Sequence, residues 1–264
     1  MKTALCSSGQ VGAFRKAVDE QERAFLNDCD DVYAYTSNIV THKTHNHNWL
    51  NPVDGKVHRY LHGGEGWRKH LPDYGVVYKV SDSTVEQELK LLKSKLVKYH
   101  ILNESLEDTL NDSNMSKWEW LKKRQLLKMF EANEMLKDSD EEYDIVVRCR
   151  FEFAPNLNIQ IKEIFEKHGG PGKIFIFGGW PCVQPMVFMD EMMCDGFAFG
   201  CPKTMNVFSS LYLKEEPYPY DPKYKECWDK FGDNVEYQLR THLEKNDIEI
   251  IYLGNQRNFF HLYR

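Results

Sequence analysis

The stretch from Tyr143 to Pro155 reads YDIVVRCRFEFAP, and the fold turns on how it is read. Ile145, Val146 and Val147 are apolar at three consecutive positions, so a strand here is covered on both faces, as strands of parallel sheets are. Side chains on a strand alternate between faces. Arg148, Arg150 and Glu152 therefore share one face, and Cys149, Phe151 and Phe153 share the other. An edge strand with one solvated face also carries alternating charges, but the doubly apolar run argues against it. Charges confined to the C-terminal end of such a strand are what an open α/β sheet shows where it meets a ligand. The expectation is a central strand that ends at a binding site.

The segments before it support the same sheet. Thr3–Cys6 is a short apolar strand, and Ser7-Ser8-Gly9-Gln10 is a small-residue turn. A helix over Val11–Leu26 presents Phe14, Ala17, Val18 and Phe25 on one side, and Asp31–Thr36 is a second strand. Strand, helix, strand in this order is a βαβ unit with a right-handed crossover. Residues 38–75 are rich in His, Asn and Gly and read as a long loop excursion. Val76–Val80 resumes as a strand, and Ser83 with Glu86 is a capping-box pattern that predicts a helix to about His100. A polar break over Asn103–Asn114 precedes an amphipathic helix over Ser116–Lys137.

Beyond the central strand, Asn158–Lys167 reads as a helix stopped by Gly169-Gly170-Pro171-Gly172, and Lys173–Phe177 as a strand. A further short strand ends at Gly200, Pro202 opens a helix to Leu213, and Asn234–Glu244 is the last helix. Ile248–Leu253 and Phe259–Tyr263 are closing strands. With no repeat and no linker, residues 1–264 are expected to form a single α/β, Rossmann-like domain with a mainly parallel sheet flanked by helices.

Composition excludes several classes of function. The 264 residues carry a formal net charge of -6, with 42% hydrophobic and 28% charged residues. No basic excess is available to neutralise phosphates, so a nucleic-acid partner is not expected. No run approaches the roughly 18 apolar residues of a membrane span. Met1-Lys2 leads straight into a strand without a signal-peptide core. The seven cysteines lack any CxxC pair and read as reduced thiols, which together place the protein in the cytoplasm.

Several residues are candidates for chemistry. The Ser7-Ser8-Gly9-Gln10 turn lies where open sheets meet ligands, and Gly9 lets a backbone approach one closely; a plain tight turn explains it equally. His42, His45 and His47 are read as part of a polar loop and not as a metal site, since nothing nearby would fix them as ligands. Asp28-Cys29-Asp30 spells D-x-D but precedes the second strand, at the end away from the expected crevice. Arg124, Gln125 and Lys128 cluster on the Ser116–Lys137 helix, as a solvated face or as groups beside the mouth of the sheet. Asp195 enters the aromatic strand Gly196–Gly200, as a general base or as a turn residue capping amides. Glu236 opens the last long helix, where the macrodipole favours a carboxylate.

Taken together, these pieces resemble a family of GT-A-like glycosyltransferases found in bacteria, algae and large DNA viruses. The resemblance runs through Ser8-Gly9-Gln10, the strand Asp31–Thr36, Gln125 and Lys128, and Tyr143-Asp144 with Arg148, Arg150 and Glu152. It continues through Asp195–Gly200, Met205, Tyr212, Glu236 and the terminal Arg264. Two positions depart from the family pattern: Gly12 stands where an arginine is common, and Glu152 where an aspartate is. Within the family the chain looks similar to chlorovirus enzymes that build capsid-protein glycans, including the xylosyl-transferring kind.

The resemblance implies transfer of a sugar from a UDP-sugar, such as UDP-xylose, to an oligosaccharide or glycoprotein acceptor. It implies that Ser7, Ser8, Gly9, Gln10, Thr36, Gln125, Lys128, Arg148 and Arg150 bind the donor. Glu152 would hold a divalent cation, Mn²⁺ or Mg²⁺. Asp195, or in second place Glu236, would be the base that deprotonates the acceptor. A non-catalytic carbohydrate- or protein-binding module on the same crevice, or an α/β transferase acting on another nucleotide substrate, are the competing classes.

Overall fold

The computed structural model describes residues 1–42, 52–61, 74–111, 115–155, 157–178, 193–220, 235–255 and 260–262. Its first half contains β1 (Thr3–Gly9), α1 (Phe14–Ala24), β2 (Asp31–Ser37), β3 (Ile39–His42), β4 (His58–Leu61), β5 (Tyr74–Lys79), α2 (Asp82–Leu89), β6 (Leu96–Leu102), α3 (Leu106–Asn111) and α4 (Lys117–Leu121). It continues with α5 (Leu127–Lys137), β7 (Ile145–Arg150), β8 (Phe153–Pro155), α6 (Ile161–His168), β9 (Lys173–Gly178), β10 (Met193–Gly200), α7 (Pro202–Ser209), α8 (Val235–Glu244), β11 (Glu249–Asn255) and β12 (Phe260–Leu262).

Seven strands form the main sheet in the order β11-β9-β10-β7-β1-β2-β6. The pairs β1–β2, β1–β7, β2–β6 and β9–β11 are parallel, and β10 runs antiparallel to both β7 and β9. This is the expected α/β, Rossmann-like architecture with a mainly parallel sheet. The doubly apolar run of β7 sits at its centre. Ile145 and Val147 pack with Phe14, Val18 and Phe25 of the α1 layer. Val146 packs on the opposite layer with Met129 of α5, Phe208 of α7 and Leu239 of α8. Among the described residues, no helix is long and apolar enough to cross a membrane.

Where the chain breaks direction after β7, α1 supplies a partner for the carbonyls that leave the strand ladder. Gln21 is buried on α1, and its Nε2 donates to the carbonyls of Phe153 at 2.6 Å and of Arg150 and Phe151 at 3.2 Å. A buried turn must satisfy its backbone acceptors, and this side chain does so for three of them.

The structure departs from the sequence expectations in several places. The helix after β5 does not reach His100. Ser81, not Ser83, is its cap, accepting from the Thr84 amide at 3.1 Å. The helix ends at Leu89, and a 3-10 segment over Lys90–Lys95 is broken by Lys93 at φ 57°. Leu96–Leu102 is then an edge strand pairing with β2.

The polar break contains α3. The 38–75 excursion is not a loop throughout, since β3 and β4 pair antiparallel with β5 in a three-stranded sheet; His45, His47 and His62 lie outside the described residues. The Ser7–Gln10 turn is mostly strand, because β1 continues through Gly9. The long helix keeps its capping box, with Ser116 and Glu119 bonded reciprocally, but Lys122–Leu126 between α4 and α5 is a π segment.

Candidate functional site

From β1 the chain moves to β2 on one side, and the sheet continues through β7 on the other. The order reverses there, and in open α/β sheets that is where a crevice opens outside the carboxyl ends of the strands. Register brings the sequence candidates to this point: Cys6 pairs with Arg148, Ser8 with Arg150, and Gly9 with Thr36.

At the end of β1, Gly9 has φ 118°, a backbone conformation other residues adopt only under strain. A Cβ there would lie 3.4 Å from Glu152 Oε2, which shows how closely that carboxylate approaches the backbone. Thr36 donates from its hydroxyl to the Gly9 carbonyl at 2.8 Å, and Ser7 to the Cys149 carbonyl at 3.4 Å. Both are occupied in holding the strand ends. Gln10 is also engaged: its Nε2 lies 2.5 Å from Thr41 Oγ1, and its Oε1 accepts from the Thr41 amide at 3.0 Å, joining the end of β1 to β3. Ser8 differs. Its hydroxyl is buried with no partner among the described residues.

Gly9→Ala is expected to cost about 1–3 kcal/mol, the range for a non-glycine residue held in a sparsely populated backbone region. Urea denaturation measures it, and an unchanged midpoint would show that the end of β1 relaxes freely.

Two arginines leave β7 toward the crevice. Arg148 is 3% exposed, and its Nε and Nη1 find no partner among the described residues. Burial holds its pKa below that of an ordinary arginine, while the charge on Asp195 works the other way. A buried cation with unused donors carries a desolvation cost that a ligand can relieve. Each nitrogen of Arg150 has a partner, with an N–H left on Nη1 and on Nη2. Its Nη1 lies 3.1 Å from Asp195 Oδ2, its Nε donates to Glu152 Oε1 at 2.7 Å, and its Nη2 donates to the same oxygen. Burial works against its charge, but Glu152 and Asp195 together raise its pKa.

Asp195 is buried at the start of β10. Because β10 is antiparallel to β7, its first residues meet the carboxyl ends of the parallel strands, which is how a residue 45 positions from Arg150 reaches it. Asp195 Oδ2 accepts from Arg150 and from Gln125 Nε2. Glu152 Oε1 faces Arg150, and its Oε2 is buried with no partner among the described residues.

Gln125 reaches Asp195 from the π segment, a deformation frequent at functional sites. Its neighbours are not a solvated face. Lys128 is 2% exposed, with Nζ 2.7 Å from Ser37 Oγ and 3.3 Å from Glu104 Oε2. Arg124 Nη1 is 2.5 Å from Glu104 Oε1. Lys128 thus ties α5 to the ends of β2 and β6 under the rim and is enclosed by that network. Glu104 and Ser37 were not among the sequence candidates. Glu104 escapes because it follows β6, which reads as helix from the sequence, and falls in what reads as a polar break.

Glu236 lies in the first turn of α8, which packs against β10, the strand that carries Asp195. Arg264 lies outside the described residues. The D-x-D of Asp28–Asp30 is at the far end of the sheet, where Asp30 Oδ2 accepts from the Thr3 amide at the start of β1 at 2.8 Å.

A divalent cation held by this chain needs several oxygen ligands. Among the described residues, no three His, Cys, Asp or Glu side chains gather as such a group. The two carboxylates of the crevice, Glu152 and Asp195, both turn an oxygen to the same guanidinium. Those two oxygens are therefore taken up by Arg150 and are not open to a cation while it holds them. No protein-family model matches the chain and no curated protein matches it, so the glycosyltransferase resemblance rests on the residues and their placement alone.

Proposed function

We propose that the protein is a GT-A-like glycosyltransferase that moves a sugar from a nucleoside-diphosphate donor to a hydroxyl of a glycan or glycoprotein. The observation that carries this reading is that the buried Arg148 and the buried Ser8 hydroxyl, on adjacent strands at the switch point of the sheet, both keep polar atoms without a partner among the described residues. Sugar transfer expels a diphosphate, and fixed cationic donors aimed at the leaving group stabilise the charge it develops. Arg148 and Arg150 take that role. Asp195 is the base: Arg150 and Gln125 hold one oxygen, and the other is offered to the acceptor hydroxyl. Glu236 is the second choice. The donor is a UDP-sugar, with UDP-xylose the first to test, and the reaction is cytoplasmic.

Melting curves with a panel of UDP-sugars test the reading, because a ligand that binds only the folded state raises the melting temperature. At about a hundred times Kd the gain is about 2.7 kcal/mol, or several degrees for a protein of this size. A UDP-sugar that raises the melting temperature and releases UDP when glycan acceptor is added supports transfer. Stabilisation by free glycans, with no response to any nucleotide sugar, would point to a binding module.

A further inference from the structure

We propose that Arg150, clamped between Glu152 and Asp195, stands in for the divalent cation, so that the nucleoside diphosphate is bound and expelled without metal. The inference rests on the glycosyl-transfer reading above and concerns how that site carries charge.

Glu152 Oε1 and Asp195 Oδ2 are the carboxylate oxygens that turn toward a common centre in the crevice, and the guanidinium of Arg150 fills that centre. A divalent ion bound by the same oxygens would have to displace a cation already bonded to both. Charge arithmetic makes the exchange unnecessary. Two carboxylates with two guanidiniums are neutral together, as two carboxylates with one divalent ion would be. Arg148 supplies the second guanidinium, buried and electrostatically coupled to Asp195, Arg150 and Glu152.

Geometry favours arginine in this role. Its planar fork presents several N–H donors at once to phosphate oxygens, whereas a lysine offers a point charge. Arg148 has two nitrogens without a partner among the described residues, donors left over for phosphate oxygens. Glutamate at position 152 also suits the clamp. Its side chain is one methylene longer than aspartate and folds back onto Arg150 two residues earlier in the chain.

In the transfer itself, the acceptor oxygen forms a bond to the anomeric carbon as the bond from that carbon to the donor's phosphate oxygen breaks. The electron pair leaves on the diphosphate, facing Arg148 and Arg150, and the acceptor's proton passes to Asp195. No additional reactant is needed for the balance.

Titration calorimetry with UDP, in EDTA and again in Mn²⁺, tests the proposal on the wild-type chain. The expected result is the same affinity in both buffers to within about twofold, a difference well under 1 kcal/mol. The electron-paramagnetic signal of Mn²⁺ is expected to remain that of the free ion in the presence of protein and UDP. Arg150→Ala is expected to weaken UDP roughly 10- to 150-fold in both buffers, the range for a lost charge-assisted contact, and Arg150→Lys to restore little of it.

UDP binding that disappears in EDTA, or an immobilised Mn²⁺ signal that Glu152→Gln releases, would overturn the proposal while leaving glycosyl transfer standing. Absence of UDP binding in either buffer would instead remove the glycosyl-transfer reading, and the inference with it. The buffer comparison needs no variant, so a poorly folded Arg150→Ala would not protect the idea.

Discussion

Asp195→Asn is expected to lower turnover by roughly 10²–10⁴ while changing UDP-sugar affinity little, the signature of a lost general base. The substitution keeps size and leaves a carbonyl oxygen for the bonds from Gln125 and Arg150. What it removes is the capacity to take a proton. Steady-state kinetics paired with donor titration separates the two effects. A parallel loss of affinity and rate would mean that Asp195 acts only by holding Arg150, and Glu236→Gln would then be the variant to compare. Full activity in Asp195→Asn would remove this carboxylate from the chemistry altogether.

Glu104→Gln is expected to destabilise the fold by about 3–5 kcal/mol, because it removes the charge that faces the enclosed Lys128 ammonium and Arg124 Nη1. For a chain of this size the melting temperature should fall by roughly 6–20 °C. Burial pushes the Glu104 pKa up, but Lys128 and Arg124 outweigh it and hold the carboxylate below its ordinary value of 4.5. Between the folded and unfolded values, the unfolded chain binds a proton that the folded chain does not. Stability from this group is therefore complete above the unfolded value and drains away as pH falls through the folded one. Denaturant midpoints measured across the acid range should fall less steeply in Glu104→Gln than in wild type. Equal slopes and equal midpoints would show the network to be energetically idle.

The sheet and the crevice were readable to different depths. The doubly apolar Ile145–Val147 run and the βαβ opening are local patterns, and both survive in the structure. So does the placement of Ser8, Arg148 and Arg150 together, because strand register follows once β1 and β7 are neighbours; Glu152 joins them from the turn after β7.

β6 was not readable. As an edge strand it leaves Val97, Lys98, Tyr99 and His100 all exposed, so no two-residue alternation marks it. The turn before it depends on a lysine with positive φ, which no sequence rule selects. Missing β6 hid Glu104, and without Glu104 the natural home for Arg124 and Lys128 is solvent. The bonds that Gln21 and Gln10 make were unreadable for another reason. A glutamine bonded to distant backbone has no local signature, although these two hold the turn after β7 and the join to β3.

The π segment has a meaning for how such a chain can change over generations. Its wider ladder accommodates one more residue than α-helical bonding would, which is what a one-residue insertion in an ancestral helix leaves behind. Deleting a single residue between Lys122 and Leu126 would restore regular bonding. It would also turn the helix on one side by about 100° relative to the other, the angle of one residue. With Trp118 and Leu121 fixed in the core, Lys128 would swing away from Glu104. With Lys128 fixed instead, the core tryptophan would have to move. The length of this segment, and not only its side chains, therefore sets whether Gln125 and Lys128 reach Asp195 and Glu104 while Trp118 stays in the core.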